Sequence, residues 1–177
     1  MITELERAYL AGLFDGEGCI SIVEDTSKKK ITPTPVLTLV AVVSSCDKFI
    51  LDYWKNKTGI GSVNLSKKAS GNARDGFTWT VSGKSAVDLI NLMYPYLLIK
   101  KDEADIAYRF QETKGMNFGG RRVSPEIMEV RFQYRNELTR IKQHPTKRGR
   151  PRIDRAALLG DDSRLRASRR PQPPAAA

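Results

Sequence analysis

Two carboxylates set one glycine apart, in Asp15-Gly16-Glu17-Gly18, stand at the end of the apolar segment Leu10-Ala11-Gly12-Leu13-Phe14. Ala8, Gly12 and Gly16 recur every fourth residue, which stacks them on one face of a helix. A stripe of small residues lets two helix backbones approach closely, while Leu10, Leu13 and Phe14 point elsewhere and can bury in the protein's own core. No second copy of the pattern occurs in the sequence, so its natural partner is the same helix of a second subunit across a two-fold axis. Such pairing brings Glu17 and its symmetry mate to one spot. Two anions that close repel unless a divalent cation sits between or beside them. Hard oxygen ligands suit Mg2+, which retains water and takes phosphate oxygens, and other divalent ions such as Ca2+ or Mn2+ can occupy the same kind of site. The chemistry this arrangement supports is metal-assisted phosphodiester hydrolysis.

The elements that must position these residues are legible from period and punctuation. Thr3 and Glu6 form a Thr-x-x-Glu capping box, and Leu5, Tyr9, Leu10, Leu13 and Phe14 recur at helical spacing up to a stop at Gly16 and Gly18. Cys19 to Val23 and Val36 to Val43 read as strands joined by a polar, lysine-rich connection. A helix follows from the N-cap Asp47 to Gly59, then a second hairpin of Gly61–Ser66 and Phe77–Ser82. Helices are expected over about 85–94, 101–114 and 124–142, the last with Pro125 at its first position. The order is α-β-β-α-β-β-α-α-α, an α+β fold. Beyond His144-Pro145 the chain turns to Arg, Pro, Ala and Gly without periodicity, so 1–143 reads as the domain and 144–177 as a basic, disordered tail with a short helix possible near 156–159.

Charge separates these parts. The net charge of +10 points to a polyanionic partner. Residues 140–177 hold 11 basic and 3 acidic side chains, a balance of +8, whereas residues 1–139 hold 19 and 17, a balance of +2. The globular part is nearly neutral and the tail carries the basic character. No apolar run reaches membrane-spanning length, the N-terminus lacks a signal-peptide layout, and Cys19 and Cys46 form neither a metal spacing nor a disulfide framework. Each cysteine reads as a small buried thiol in a strand, in a reducing, intracellular setting. Trp54 and Trp79 are core residues by default, and His144, beside proline, is given no catalytic role.

The nonapeptide LAGLFDGEG resembles the signature of the LAGLIDADG homing endonucleases, from which it differs at Phe14, Gly16 and Glu17. The α-β-β-α-β-β-α order over Thr3 to Tyr108 is similar to that family's repeat, and Gly59-Ile60-Gly61-Ser62-Val63 and Pro95 to Lys101 resemble its downstream stretches. The resemblance implies a homodimer, as for single-motif members, that cuts a long, near-palindromic double-stranded DNA site. It implies metal ligation by the Glu17 carboxylate and the Gly16 carbonyl. It assigns to Lys100 the basic residue that balances charge at the scissile phosphate or holds the attacking water, with Lys101 as close rival and an ordinary solvated lysine as the competing reading. Where the family places Gln and Arg after the second strand, this chain has Ser44-Ser45-Cys46-Asp47-Lys48, leaving Ser45 and Lys48 as substitutes. An intron-splicing maturase that binds RNA, or a non-cleaving DNA-binding regulator of the same fold, are the rival readings.

The resemblance also implies a curved antiparallel sheet lying in the DNA major groove, alternate side chains reading base edges. If Ile20 and Ile22 face the helices, Ser21, Val23 and Asp25 face DNA, as do Val36, Thr38, Val40 and Val42 of the next strand. Asn64, Ser66, Thr78, Thr80 and Ser82 complete that face, and Lys28 in the Lys28-Lys29-Lys30 run would meet phosphate. In the tail, Lys147-Arg148-Gly149-Arg150-Pro151-Arg152 resembles an AT-hook, with Arg148 and Arg150 entering a narrow minor groove.

Overall fold

The computed structural model describes residues 2–25, 35–115 and 123–143. The chain starts with helix α1 (Glu4–Glu17) and the strands β1 (Gly18–Asp25) and β2 (Val36–Ser45). It continues through α2 (Lys48–Thr58), β3 (Ser62–Lys67), β4 (Gly76–Ser82) and α3 (Lys84–Met93) to α4 (Lys101–Gly115) and α5 (Pro125–Gln143). This is the expected order with one addition, a 3-10 turn at Tyr94–Tyr96, where Pro95 can start a tight turn but cannot extend α3. By compactness the chain divides into Met1–Ile141 and Lys142–Ala177, and of the second unit only Lys142 and Gln143, at the end of α5, are described. The expectations for Lys28, for Arg148 and Arg150, and for a short helix near 156–159 lie outside the described residues. Among the described residues, no helix is long and apolar enough to cross a membrane.

The strands form one antiparallel sheet in the order β1-β2-β4-β3. Period-two alternation gives it two unlike faces. Ile20, Ile22, Leu37, Leu39, Ala41, Val43, Trp79 and Val81 are buried on one face. That face is covered by Leu10 and Phe14 of α1, Leu51 and Trp54 of α2, Leu89, Ile90 and Met93 of α3, and Ala104, Ala107 and Phe110 of α4. Truncating a fully buried ring such as Phe14 to alanine costs about 3–5 kcal/mol, so α1 is fixed to the sheet. Both tryptophans are core residues, and the Trp79 indole donates to the Ile60 carbonyl at 3.0 Å.

Helix ends follow local chemistry. The capping box is formed: the Thr3 N–H donates to Glu6 Oε2 at 2.8 Å, and the Glu6 N–H donates to Thr3 Oγ1 at 3.3 Å. Asp47 caps α2 by accepting the Phe49 N–H at 2.9 Å, and Gly59 ends it in the left-handed region at φ 72°. Ser124 precedes Pro125 and accepts the Ile127 N–H at 3.4 Å. At the far end of α4, the buried Arg131 guanidinium of α5 donates to Thr113 Oγ1 at 3.0 Å and to the Thr113 carbonyl at 2.6 Å. It thereby serves a carbonyl of the last turn of α4, where the helix itself supplies no donor. Beside it the Lys114 ammonium reaches the Leu37 carbonyl, and burial pushes its pKa below the ordinary lysine value.

Three expectations need correction. α1 runs through Gly16 to Glu17, and Gly18 ends it with extended backbone (φ −83°) rather than a left-handed turn. Glycine is required at 18 for room: a Cβ there would stand 2.4 Å from the Phe14 carbonyl oxygen and 2.6 Å from its ring. Leu5 and Tyr9 share the helical apolar period but are 83% and 60% exposed, because the core meets the Leu10–Ala11–Phe14 side of α1. Cys46 is exposed just past the end of β2, not buried in a strand, and Cys19 is half-buried.

Candidate active site and nucleic-acid interface

Glu17 is the last residue of α1, and its side chain is exposed. Ala8, Gly12 and Gly16 are exposed along the same helix, and added Cβ atoms at Gly12 and Gly16 would meet nothing within 4 Å. The small-residue stripe is thus an open surface in the protomer. Gly18 pairs with Val43, so the helix that carries Glu17 delivers it beside the C-terminal end of β2, where Ser45 stands.

Asp15, two residues before Glu17, makes the long-range connection that fixes the site. Its Oδ2 accepts the N–H groups of Leu98 at 2.8 Å and Ile99 at 3.2 Å, and its Oδ1 accepts the N–H of Lys100 at 3.0 Å. The Lys100 carbonyl then takes the first α4 bond, from Ala104 at 3.0 Å. One carboxylate thereby gathers three donors ahead of a helix whose dipole favours an anion there. Lys100 is held by its backbone to the residue two places before Glu17. Lys101 is exposed and differently engaged, its ammonium 5.1 Å from the centre of the Tyr94 ring. That ring is itself held by a Tyr94 hydroxyl bond to Asp105 at 2.7 Å, which raises the tyrosine's pKa.

Ser45 and Lys48 have local partners. Ser45 Oγ accepts the Asp47 N–H at 3.0 Å, shaping the turn into α2, and the Lys48 ammonium pairs with Asp52 one helical turn on. Ser45 lies at the Glu17 end of the sheet by register, and Lys48 lies in the first turn of α2. Among the described residues, no group of three His, Cys, Asp or Glu side chains converges. One protomer therefore offers the Glu17 carboxylate and neighbouring backbone carbonyl oxygens, an incomplete but hard-oxygen donor set.

The sheet face turned away from the helices carries Ser21, Val23, Asp25, Val36, Thr38, Val40 and Val42, together with Asn64, Thr78, Thr80 and Ser82, all exposed or half-buried. The register aligns them in rows, with Ser21 opposite Val40 and Val40 opposite Ser82, Val42 opposite Thr80, and Thr78 opposite both Ser44 and Asn64. Ser66 shares the outward side of Gly76, at a bulge between Leu65 and Lys67 where the pairing skips one residue, and its hydroxyl donates to the Gly76 carbonyl at 3.0 Å. A second open surface lies between α1 and α2, a groove of about 470 Å3 lined by Leu5, Tyr9, Phe49, Tyr53 and Trp54.

The family model for LAGLIDADG endonuclease matches residues 10–111, more than half of the chain. The chain belongs to the LAGLIDADG endonuclease family. No curated protein matches it. Among solved structures, this LAGLIDADG chain is similar to the homing endonuclease I-CvuI in complex with the I-CreI target, at 19% identity and a TM-score of 0.63 over 78% of this chain and 82% of that one. It is similar to the archaeal intron-encoded homing endonuclease I-Vdi141I complexed with DNA, at 16% identity and a TM-score of 0.63 over 88% and 93%. It is also similar to the LAGLIDADG meganuclease I-AabMI bound to uncleaved DNA, at 16% identity and a TM-score of 0.60, but there it spans 79% of its own length and 49% of the other chain. At these identities the likeness establishes the LAGLIDADG fold.

Proposed function

We propose that this LAGLIDADG protein is a site-specific, divalent-metal-dependent double-stranded DNA endonuclease that works as a homodimer. The observation that carries the reading is the Asp15 clamp. It holds Lys100 to the exposed end of α1, next to Glu17, while the Ala8-Gly12-Gly16 stripe of that helix is uncovered. Two copies of α1 meeting on that stripe would bring both Glu17 carboxylates and both Lys100 residues to one place. Leu98 and Ile99, 55% and 52% exposed and bonded to Asp15, would lie at the margin of that contact. The chain matches most of I-CvuI but half of I-AabMI, which fits one repeat supplied by each of two subunits.

Glu17 and the Gly16 carbonyl would hold the ion, and exposed hard oxygens on an open helix end suit Mg2+, with Ca2+ or Mn2+ as alternatives. I-CvuI was studied on DNA with Mg or with Ca present. When bound, the ion supplies Lewis acidity and an activated water for attack on phosphorus. The rest belongs to the protein. Lys100 places a fixed positive charge where the scissile phosphate accumulates negative charge, or orients the attacking water. Ser45 can hold solvent at the same end of the sheet, whereas Lys48 would first have to leave Asp52. The face of Ser21, Val23, Asp25, Thr38, Val40, Val42, Asn64, Ser66, Thr78 and Thr80 would read base edges in the major groove, chiefly through apolar contact with thymine methyls and small hydroxyls. The basic residues of 144–177, with Arg148 and Arg150, would supply much of the salt-dependent affinity.

The test is selection from a randomised duplex library, followed by cleavage of enriched sites with Mg2+, Mn2+ or Ca2+. Wild type is expected to cut, and Glu17→Gln to bind the same sites without cutting. If wild type enriches a site but cuts it under no divalent ion, the nuclease reading fails and a DNA-binding regulator takes its place. Tight binding to intron RNA with no enriched duplex would favour a maturase.

A further inference from the structure

The four strands contain a single lysine or arginine, Lys67 at the end of β3. Strict alternation from Asn64, which faces away from the helices, would send Ser66 outward and Lys67 back toward the helix side. The bulge leaves Ser66 outward and turns Lys67 outward as well. Asn64 pairs with Thr78 and Leu65 with Phe77, but Gly76 pairs with Lys67 after one residue is skipped. Gly76 is two residues from Thr78 and so shares its outward face, and paired residues share a face. A Cβ built on Gly76 would lie 3.4 Å from Lys67 Cβ and 3.5 Å from Ser66 Oγ, so both side chains stand on that outward face. Because Gly76 has no side chain, the space across from Lys67 is open. The nearest acid in sequence, Asp75, is occupied: its carboxylate accepts the Ala69 N–H at 2.7 Å and closes the hairpin loop. Among the described residues Lys67 makes no ion pair.

We propose that Lys67 is a specificity-determining residue, turned onto the DNA-reading face by the Ser66 bulge to donate to the O6 and N7 acceptors of a guanine. The assignment rests on the endonuclease reading above. Among the described strand residues of this face, otherwise small hydroxyls, a thiol, an amide, valines and one aspartate, it is the one cationic donor able to select a guanine edge. Register also predicts where. Gly18, Val43, Trp79 and Val63 form one row, level with the end of α1, and Lys67 with Gly76 lies three residues of β4, about 10 Å, further along. That direction leads away from the β1–β2 tip, so the guanine belongs to the inner part of each half-site, near the cuts. A lysine on an edge strand can also serve only to discourage strand pairing, a role indifferent to base sequence.

The experiment compares base preferences at every position of the duplexes selected by wild type, Lys67→Met and Lys67→Arg, with the salt dependence of binding measured for each. Wild type should enrich guanine at one inner position of each half-site. Lys67→Met should lose that preference by roughly 5- to 100-fold while preferences elsewhere persist, and Lys67→Arg should keep it. If Lys67→Met instead weakens all sequences alike and lowers the salt slope by about 1, Lys67 is a phosphate contact and the proposal is overturned. Unchanged preferences in Lys67→Met would reduce it to an edge guard. If wild type enriches no duplex at all, the endonuclease reading itself falls, a result separate from any behaviour of the variants.

Discussion

The carboxylate of Asp15 accepts the backbone N–H of Lys100 at 3.0 Å across 85 residues of sequence. The same carboxylate also takes the N–H groups of Leu98 and Ile99, so the segment leading into α4 hangs from the last turn of α1. Glu17 lies two residues along from Asp15, on the same turn of the same helix. The two side chains proposed for catalysis therefore share one rigid anchor, and what disturbs Asp15 disturbs their spacing before it touches either.

Replacing Asp15 should separate structure from chemistry. Asp15→Ala removes three backbone partners at once, and loss of charge-assisted bonds of this kind costs about 1–3 kcal/mol. Asp15→Asn keeps one acceptor oxygen and should cost less. In both, single-turnover cleavage should fall further than DNA affinity, because the sheet face proposed to read DNA is untouched. Equal losses in cutting and binding, measured on one selected duplex, would remove Asp15 from a positioning role.

Lys100 and Lys101 can be told apart in the same assay. Lys101 sits over the Tyr94 ring, an exposed cation–π contact of about 0.5–1 kcal/mol, so Lys101→Met should lower stability slightly and leave the cleavage rate near wild type. Lys100→Met should leave the fold intact, since the Asp15 bond uses its backbone, and should slow cleavage by at least about 100-fold if its charge serves the transition state. The reverse ranking would transfer the role to Lys101.

Much of this was readable in the sequence, and the exceptions have a common cause. The capping box at Thr3 and Glu6, the Asp47 and Gly59 boundaries of α2, and the inward phase of Ile20, Ile22, Leu37 and Leu39 are local or strongly periodic. The Asp15 clamp is neither. Its one sequence trace was the missing cap: Leu97-Leu98-Ile99-Lys100 offers no Ser, Thr, Asp or Asn side chain ahead of α4, so an acceptor had to come from elsewhere. The Ser66 bulge escaped because Ser-Val-Asn-Leu-Ser-Lys alternates polar and apolar residues, and alternation within one strand carries no mark of a pairing skipped across to Gly76. Leu5 and Tyr9 belong to the apolar period of α1, but periodicity does not say which apolar residues meet the core and which are left outside.

Gly12 and Gly18 predict opposite outcomes for the same substitution. A Cβ at Gly12 meets nothing within the protomer, and Gly→Ala in a helix interior gains roughly 0.5–1 kcal/mol. Gly12→Ala should therefore raise protomer stability in denaturant titrations while weakening dimerisation in sedimentation, if α1 pairs along its stripe. Gly18→Ala must displace the Phe14 carbonyl or ring and should destabilise on the order of 1–3 kcal/mol, with Glu17 shifted in the process. A Gly12→Ala protein that sediments as wild type would place the subunit contact on another surface.

The acid limb of stability should depend on Glu6. Its carboxylate meets the Lys57 ammonium at 2.8 Å, the Thr3 N–H at 2.8 Å and the Tyr53 hydroxyl at 3.0 Å, tying α1 to α2. The Lys57 bond, then the Thr3 backbone bond, holds its pKa down to about 2 from an ordinary 4.5. A carboxyl depressed in the folded state binds its proton more readily when unfolded. Its contribution is therefore complete above about pH 4.5 and is lost as pH falls from there toward 2. Glu6→Gln should lower the urea midpoint at pH 7 and, relative to wild type, decline less between pH 4.5 and 2, so the two curves converge at low pH. Curves that stay parallel across that window would show that the Glu6 cluster contributes nothing to acid sensitivity, and that exposure to solvent has screened the Lys57 pair away.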